Sequence, residues 1–491
     1  MDDRPTQAAD SNPDRIVLDQ SQAQPDHGLG HAVVGAFAGA TTVGIAALIV
    51  AAPQLQIPPM VGGPILLLAW LESAASKARR LPAARRVLLS IASGVGTALL
   101  LLIFLGSLLG STAPTGEAGA EPETIANVLR QGAPLIVGGV LVLGAVMGTL
   151  GGLIAPHLPR QGPSRWPWVA RLALWTALAA APLLLLGGLV TSTESGMAVP
   201  DWPGSYGWNM VLFPIGLMSE PRVFLEHSHR LFGVLVGVST IATALAVQFS
   251  RAGRAAPRSA AIVAWACLVM VIVQGVLGGT RVTENSPALG VFHGVLAQVF
   301  VTSLACLCAM LLPSWRDRSV PSRGSRRLVV ALLIMLLIQL AMGATFRHLG
   351  TRAWHALATH VALAFAIVVV APIAGARLGR TGESLKGQPP AAPGARRAGK
   401  GLIHATGLQF LLGWGALAGA LMGGDRGPVP LHTQLKSADP VPLWEVLLTT
   451  AHQANGALLL VLAGLALAWT WPRRGGDAPI PAPTTTEPAA A

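Results

Sequence analysis

Twelve stretches of about twenty predominantly apolar residues follow one another along this chain, and no other feature limits its fold so severely. They lie near 31–52, 58–74, 87–110, 133–156, 170–190, 229–249, 260–279, 290–312, 327–345, 357–375, 403–422 and 450–471. In hydrocarbon each backbone amide must be bonded within its own segment, so each stretch is expected to be a helix. The second is short and opens on Pro58 and Pro59, so it either spans or re-enters, and the total is twelve or eleven. The 491 residues are 52% apolar and only 11% charged, against about 25% charged in a soluble protein. The expected fold is therefore an all-α polytopic membrane protein whose main partner is the lipid bilayer.

The net charge of +12 could be taken for a nucleic-acid surface, but the basic residues sit in short clusters between apolar runs. That pattern marks loops held on the cytoplasmic side, and nucleic acid is excluded as a partner. The clusters at 77–86, 251–258, 316–327, 377–400 and 473–474 alternate with loops far poorer in Lys and Arg. Both termini are then expected in the cytoplasm, and the loop after the fifth run faces outward. The N-terminus, MDDRPTQAADSNPDRIVLDQ, is polar and acidic, which argues against a cleaved signal peptide. Cys267, Cys306 and Cys308 all fall inside apolar runs and give no disulfide framework. The segments 376–400 and 472–491 are expected to be disordered linkers.

A weak repeat, Gln274-x-x-x-Gly278, Gln339-x-x-x-Gly343 and Gln409-x-x-x-Gly413, runs through the last eight apolar runs. Small residues at such spacing are ordinary close-packing positions in membrane helices. The spacing also divides this region into two halves of four helices, 165–312 and 327–472. A tail (1–30) and an extension of about four membrane helices (31–160) precede them, and a second tail (473–491) follows.

Nine of the twelve histidines lie between 227 and 452. Four of them, His229, His293, His360 and His452, stand near the outer start of every second helix of the core. A single imidazole there is more often an interfacial residue than a ligand. Two facing helices that each present one would supply the axial pair of a b-type haem, and two halves would supply two pairs. His355 and His360 are five residues apart, roughly 140° around a helix, so they cannot share one target. His360 lies deeper and is preferred, with His355 as its substitute. His348 is expected in an outer loop, and His227 points away from His229. Glu226 precedes His229 by three residues and shares its helix face. It is either an interfacial carboxylate paired with Arg222 or Arg230, or an acid that handles protons beside the first pair.

The segments SGMAVPDWP, EHSHR, GGTRV with the later FHGVLAQ, and HQANGALLL resemble, in that order, segments of the haem A synthase family. The likeness covers about 165–472. It implies a monooxygenase of two similar four-helix halves, which oxidises the C8 methyl of haem O to a formyl group by successive O2-dependent hydroxylations. By the same resemblance His229 and His293 would hold haem O as substrate, with Glu226 as the essential acid, while His360 and His452 would hold a permanent haem b. Arg281 and Arg347 are candidates for propionate contacts, and equally for snorkelling arginines. A haem O synthase would act upstream, an unidentified donor would supply electrons, and a homo-oligomer is one assembly open to such a protein. The expected location is the inner (cytoplasmic) membrane.

This sequence departs from the family in three ways. Ala198 and GSYG stand where many members carry a cysteine pair. The link between the fifth and sixth core helices is short, and the N-terminal extension is outside the pattern. Two rival readings remain: a di-haem electron carrier that leaves haem unchanged and has no use for Glu226, and a transporter or assembly chaperone without haem.

Overall fold

The computed structural model describes residues 25–110, 129–159, 166–316, 323–380, 393–422 and 441–472. Long helices account for most of these residues, and the described residues include no strand. In chain order the long helices are α1 Pro25–Ala51, α2 Pro59–Ala78, α3 Arg86–Leu105, α4 Ala133–Ile154, α5 Trp168–Ser192 and α6 Pro221–Phe249, then α7 Arg258–Thr283, α8 Pro287–Met310, α9 Arg323–Leu349, α10 Trp354–Arg380, α11 Pro393–Met422 and α12 Leu443–Thr470. Ten helical segments among the described residues are long and apolar enough to cross a membrane, and one of these, Arg323–Gly379, takes in both α9 and α10. The weak second run, α2, is helical throughout despite Pro64, but its polar end keeps it out of that set. It packs antiparallel to α1, with Gly62 against Val50 at one end and Lys77 beside Gly35 at the other.

Helices α5 to α8 pack as a closed ring, each against the next and α8 back on α5; α9 to α12 do the same. The rings meet through α8, α9, α12 and α5. The N-terminal helices form a third group in the order α1, α2, α4, α3, joined to the first ring by α1 on α5 and α3 on α6. Small residues set its spacing: a Cβ on Gly94 of α3 would lie 2.1 Å from the carbonyl oxygen of Gly144 on α4. The rim of the molecule is apolar and exposed, as at Leu135, Ile262 and Leu411, which suits contact with acyl chains.

The two ends of the core differ. At the basic end one continuous apolar core joins Trp168, Leu307, Leu332, Leu378, Leu402 and Leu460 across both rings. At the other end the helix starts are fixed by local chemistry. Pro221 and Pro287 occupy first-turn positions, where their missing amide costs nothing. The Glu220 carboxylate accepts from the Val223 amide at 2.7 Å, and Ser286 Oγ accepts from the Leu289 amide.

Two expectations about connections need correction. The ends of 376–400 are helix, because α10 runs on to Arg380 and α11 begins at Pro393, while 381–392 lies outside the described residues. Arg and Lys are good helix formers, and Leu378, Ala395 and Ala398 are buried in the core at these ends. His348 lies in the last turn of α9, not in a loop, with its ring against Gly290 of α8. The tails 1–24 and 473–491 and the acidic stretch 116–124 fall outside the described residues.

Candidate functional site

Each of the four histidines lies in the second or third turn of its helix, and the rings bring them together in pairs. His229 on α6 and His293 on α8 have ring centroids 6.4 Å apart, with planes at 70°. His360 on α10 and His452 on α12 have centroids 6.1 Å apart, with planes at 64°. His355 is exposed on the far side of α10 and faces neither pair.

Behind every one of these imidazoles stands a glycine of the preceding helix. A Cβ on Gly187 would lie 3.1 Å from Cε1 of His229, and on Gly278 2.9 Å from Cε1 of His293. The corresponding distances are 2.8 Å for Gly343 with His360 and 3.3 Å for Gly413 with His452. The sequence repeat is thus a seat for a ring, made four times. The residue one turn before each glycine then contacts the histidine, through its backbone carbonyl in two cases and its side-chain amide in the other two. The carbonyl of Leu183 lies 3.2 Å from Nδ1 of His229, and that of Gln339 lies 2.8 Å from Nδ1 of His360. A carbonyl only accepts, so in both rings Nδ1 carries the proton, and the Nε2 lone pair is left for another partner. The Gln274 side-chain amide donates to the His293 carbonyl at 2.8 Å, while Gln274 Oε1 and His293 Nδ1 are both buried without a partner. Gln409 Nε2 lies 3.1 Å from His452 Nδ1, and its Oε1 accepts from Asn455 at 2.8 Å. These glycine seats and the Asn455 brace were not identified from the sequence, although the Gln-x-x-x-Gly spacing was their signal.

This geometry fits a particular kind of occupant. Two metal–imidazole bonds of ~2 Å, with half a ring beyond each, put ring centres roughly 6 Å apart. Two donors do not complete a zinc site, but they fill the axial positions of an iron whose other ligands belong to a porphyrin. Among the described residues no group of three or more His, Cys, Asp or Glu side chains could hold a metal ion by itself. The second pair lines a cavity of about 380 Å3 walled by Phe346, Trp354, Phe365, Phe410 and Trp414, within the usual range for cofactor pockets.

The first pair lies beneath the loop 193–220, which is tied down within about a turn of it. Glu226, 4% exposed, accepts from the Val199 amide and from Arg230, both at 2.8 Å. Arg230 also donates to the carbonyls of Val199, Asp201 and Gly204 at 2.7, 2.7 and 2.9 Å. Asp201 accepts from the amides of Tyr206 and Gly207, closing a turn in which Gly207 has φ 75°. Burial, with Glu226 and other carboxylates near, raises the pKa of the Tyr206 phenol, so it remains a donor to the Ala198 carbonyl. Trp202 lies flat on Gly279 of α7, where a Cβ would come within 2.2 Å of its indole. His227 packs on Phe213 and reaches Ser205, away from the pair. Arg281 passes over Gly196, within Coulombic range of Glu226, His229 and His293. Arg347 donates to the Thr191 carbonyl and lines the second cavity, as does His348.

Fold and site together define a polytopic helical membrane protein with two four-helix rings, each holding one facing pair of imidazoles. Residues 217–355 match the model of a family described as cytochrome oxidase assembly protein. The chain is also 30% identical over 170 residues to a protein named Heme A synthase from Exiguobacterium sp., a match covering 34% of this chain and 54% of the relative. Its likeness to the Heme A synthase of Exiguobacterium sibiricum is 30% over 174 residues (34% and 55%), and to that of Shouchella clausii 26% over 184 (36% and 58%). The chain thus spans about half the length of the curated relatives it matches. No solved structure matches it. The family found by comparison is the one that the DWP and histidine motifs resemble.

Proposed function

We propose that the protein is a haem A synthase, which oxidises the C8 methyl of haem O to a formyl group with O2. The observation that carries this reading is the spacing of His229 and His293, 6.4 Å between ring centres, directly beneath a carboxylate-anchored loop. In this reading the first ring (165–312) takes haem O as substrate, and the second (327–472) holds haem b through His360 and His452. When bound there, haem b would supply one-electron transfer. The chain's own part is positional. Leu183 and Gln339 fix the tautomers of His229 and His360, and the glycines seat all four rings. The 193–220 loop keeps water from the first pair. Arg281 is placed to meet a haem carboxylate, and Arg347 is the matching candidate beside the second pair. Glu226 would hold or deliver a proton next to the substrate. The proposed setting is the cytoplasmic membrane with both termini inside, downstream of a haem O synthase and fed by an external electron donor.

A di-haem electron carrier is the second reading, favoured by one observation. Glu226 is fully engaged with Arg230 and Val199, as a purely structural carboxylate would be. Co-expression with a haem O synthase separates the two. Extraction of haem A supports the synthase, and unaltered haem O together with full haem loading supports the carrier. In the same preparations Gly343→Val, whose side chain would displace the His360 ring, is expected to lower haem retention in the second ring about 10–100-fold. The Soret absorbance per mole of protein is the check.

A further inference from the structure

At the end of the molecule opposite the histidines, the last turn of α2, the turn that follows it and the start of α5 gather four cations. Arg79, Arg80 and Arg171 all lie within Coulombic range of Lys77, and Arg80 also acts on Arg171. Arg171 is 7% exposed, yet its Nε and Nη2 have no hydrogen-bond partner. Trp168 Nε1, one turn earlier, and Arg79 Nε are likewise buried and unpartnered. The Lys77 ammonium sits 4.7 Å over the Trp175 ring and reaches Ser76 Oγ at 3.2 Å. Arg79 donates to the Pro159 carbonyl beyond α4. Among the described residues the acid that acts on Lys77 is Glu72, which is exposed. A buried guanidinium surrounded by other cations is unfavourable unless an anion joins it.

We propose that this cluster binds the phosphate of an anionic phospholipid, wedged between the N-terminal helices and the first ring. The two free nitrogens of Arg171 form part of a planar fork, which suits two oxygens of one phosphate. The site lies at helix ends, the level of head groups, and basic pockets between helices on this face recognise such lipids. Leu68 of α2 and Leu178 of α5 are exposed along the two helices, where acyl chains would run. The lipid would neutralise the cations on α2 and α5 together, and so strengthen the attachment of a block of helices that packs on the core mainly through α1.

The test uses the full chain purified in mild detergent. Native mass spectrometry of the wild type should show retained anionic phospholipid, and Arg171→Gln should lower that retention about tenfold, the loss of one charge-assisted bond. Lys77→Gln, a half-buried position, should lower it in the same direction and guards against a folding failure at Arg171. After delipidation, adding phosphatidylglycerol should raise the unfolding midpoint, whereas phosphatidylcholine or millimolar inorganic phosphate should not. Equal stabilisation by inorganic phosphate would overturn the lipid assignment in favour of a free anion. Equal lipid retention by wild type and both variants would overturn the site. A wild type that carries no anionic lipid, even after phosphatidylglycerol is added back, would overturn the proposal.

Discussion

Alanine at His360 or His452 is expected to empty the second ring of haem, and alanine at His229 or His293 to stop haem A formation while the second ring keeps its Soret band. Each loss should exceed about 100-fold, because removing even an outer-shell partner of a metal ligand costs about 10–100-fold. The two effects should be separable, since each pair belongs to its own closed ring. The basic end is packed across both rings by one apolar core. Near the histidines the rings touch through a polar bridge instead, where Thr449 and Thr450 of α12 reach Ser192 of α5 at 2.9 and 3.2 Å. A first-ring substitution that also bleached the second ring would show that this bridge transmits the damage. Pigment extraction beside an absorbance spectrum of the same sample distinguishes the outcomes.

The helical core was legible because hydrocarbon leaves a chain few alternatives: runs of apolar residues become helices, and clustered arginines mark their ends. The four histidines were legible by their matching depth, which only a repeated helix pair produces. What helical periodicity does not reveal is which neighbour a face meets. The Gln-x-x-x-Gly spacing occurs three times and is equally that of ordinary close packing, yet each glycine seats an imidazole of the following helix. The fourth seat, Gly187, was hidden because Leu183 stands in the glutamine's place and contributes only its carbonyl. His360 and His355 could be separated only as alternatives, since angle alone does not say which side of α10 turns inward. His348 was misplaced because its Phe-Arg-His-Leu-Gly context looks like the end of a span, whereas α9 continues for one more turn onto Gly290. The anchoring of the 193–220 loop depends on contacts between Arg230 and residues 26 to 31 positions earlier, which no local pattern encodes.

The same anchoring gives Glu226 two duties that substitution can separate. Glu226→Ala is expected to cost about 3–5 kcal/mol, since it leaves Arg230 charged and buried; the two side chains are only 5% and 9% exposed. The Val199 amide would lose its acceptor as well. Adding Arg230→Met should recover only part of this, because the carbonyls of Val199, Asp201 and Gly204 would then lose their donor. Glu226→Gln is the informative change. It keeps one acceptor oxygen, enough for Val199 or Arg230 but not both, and fills the space of the carboxylate, so the unfolding midpoint should fall less than in the alanine variant. If the carboxyl handles a proton during oxidation, haem A formed per bound haem should nevertheless fall about 10²- to 10⁴-fold. If its task is only to pin the loop, turnover should follow the midpoint, and Glu226→Gln should stay near wild type. Measured together, thermal unfolding and turnover per haem therefore separate a proton-handling acid from a strut.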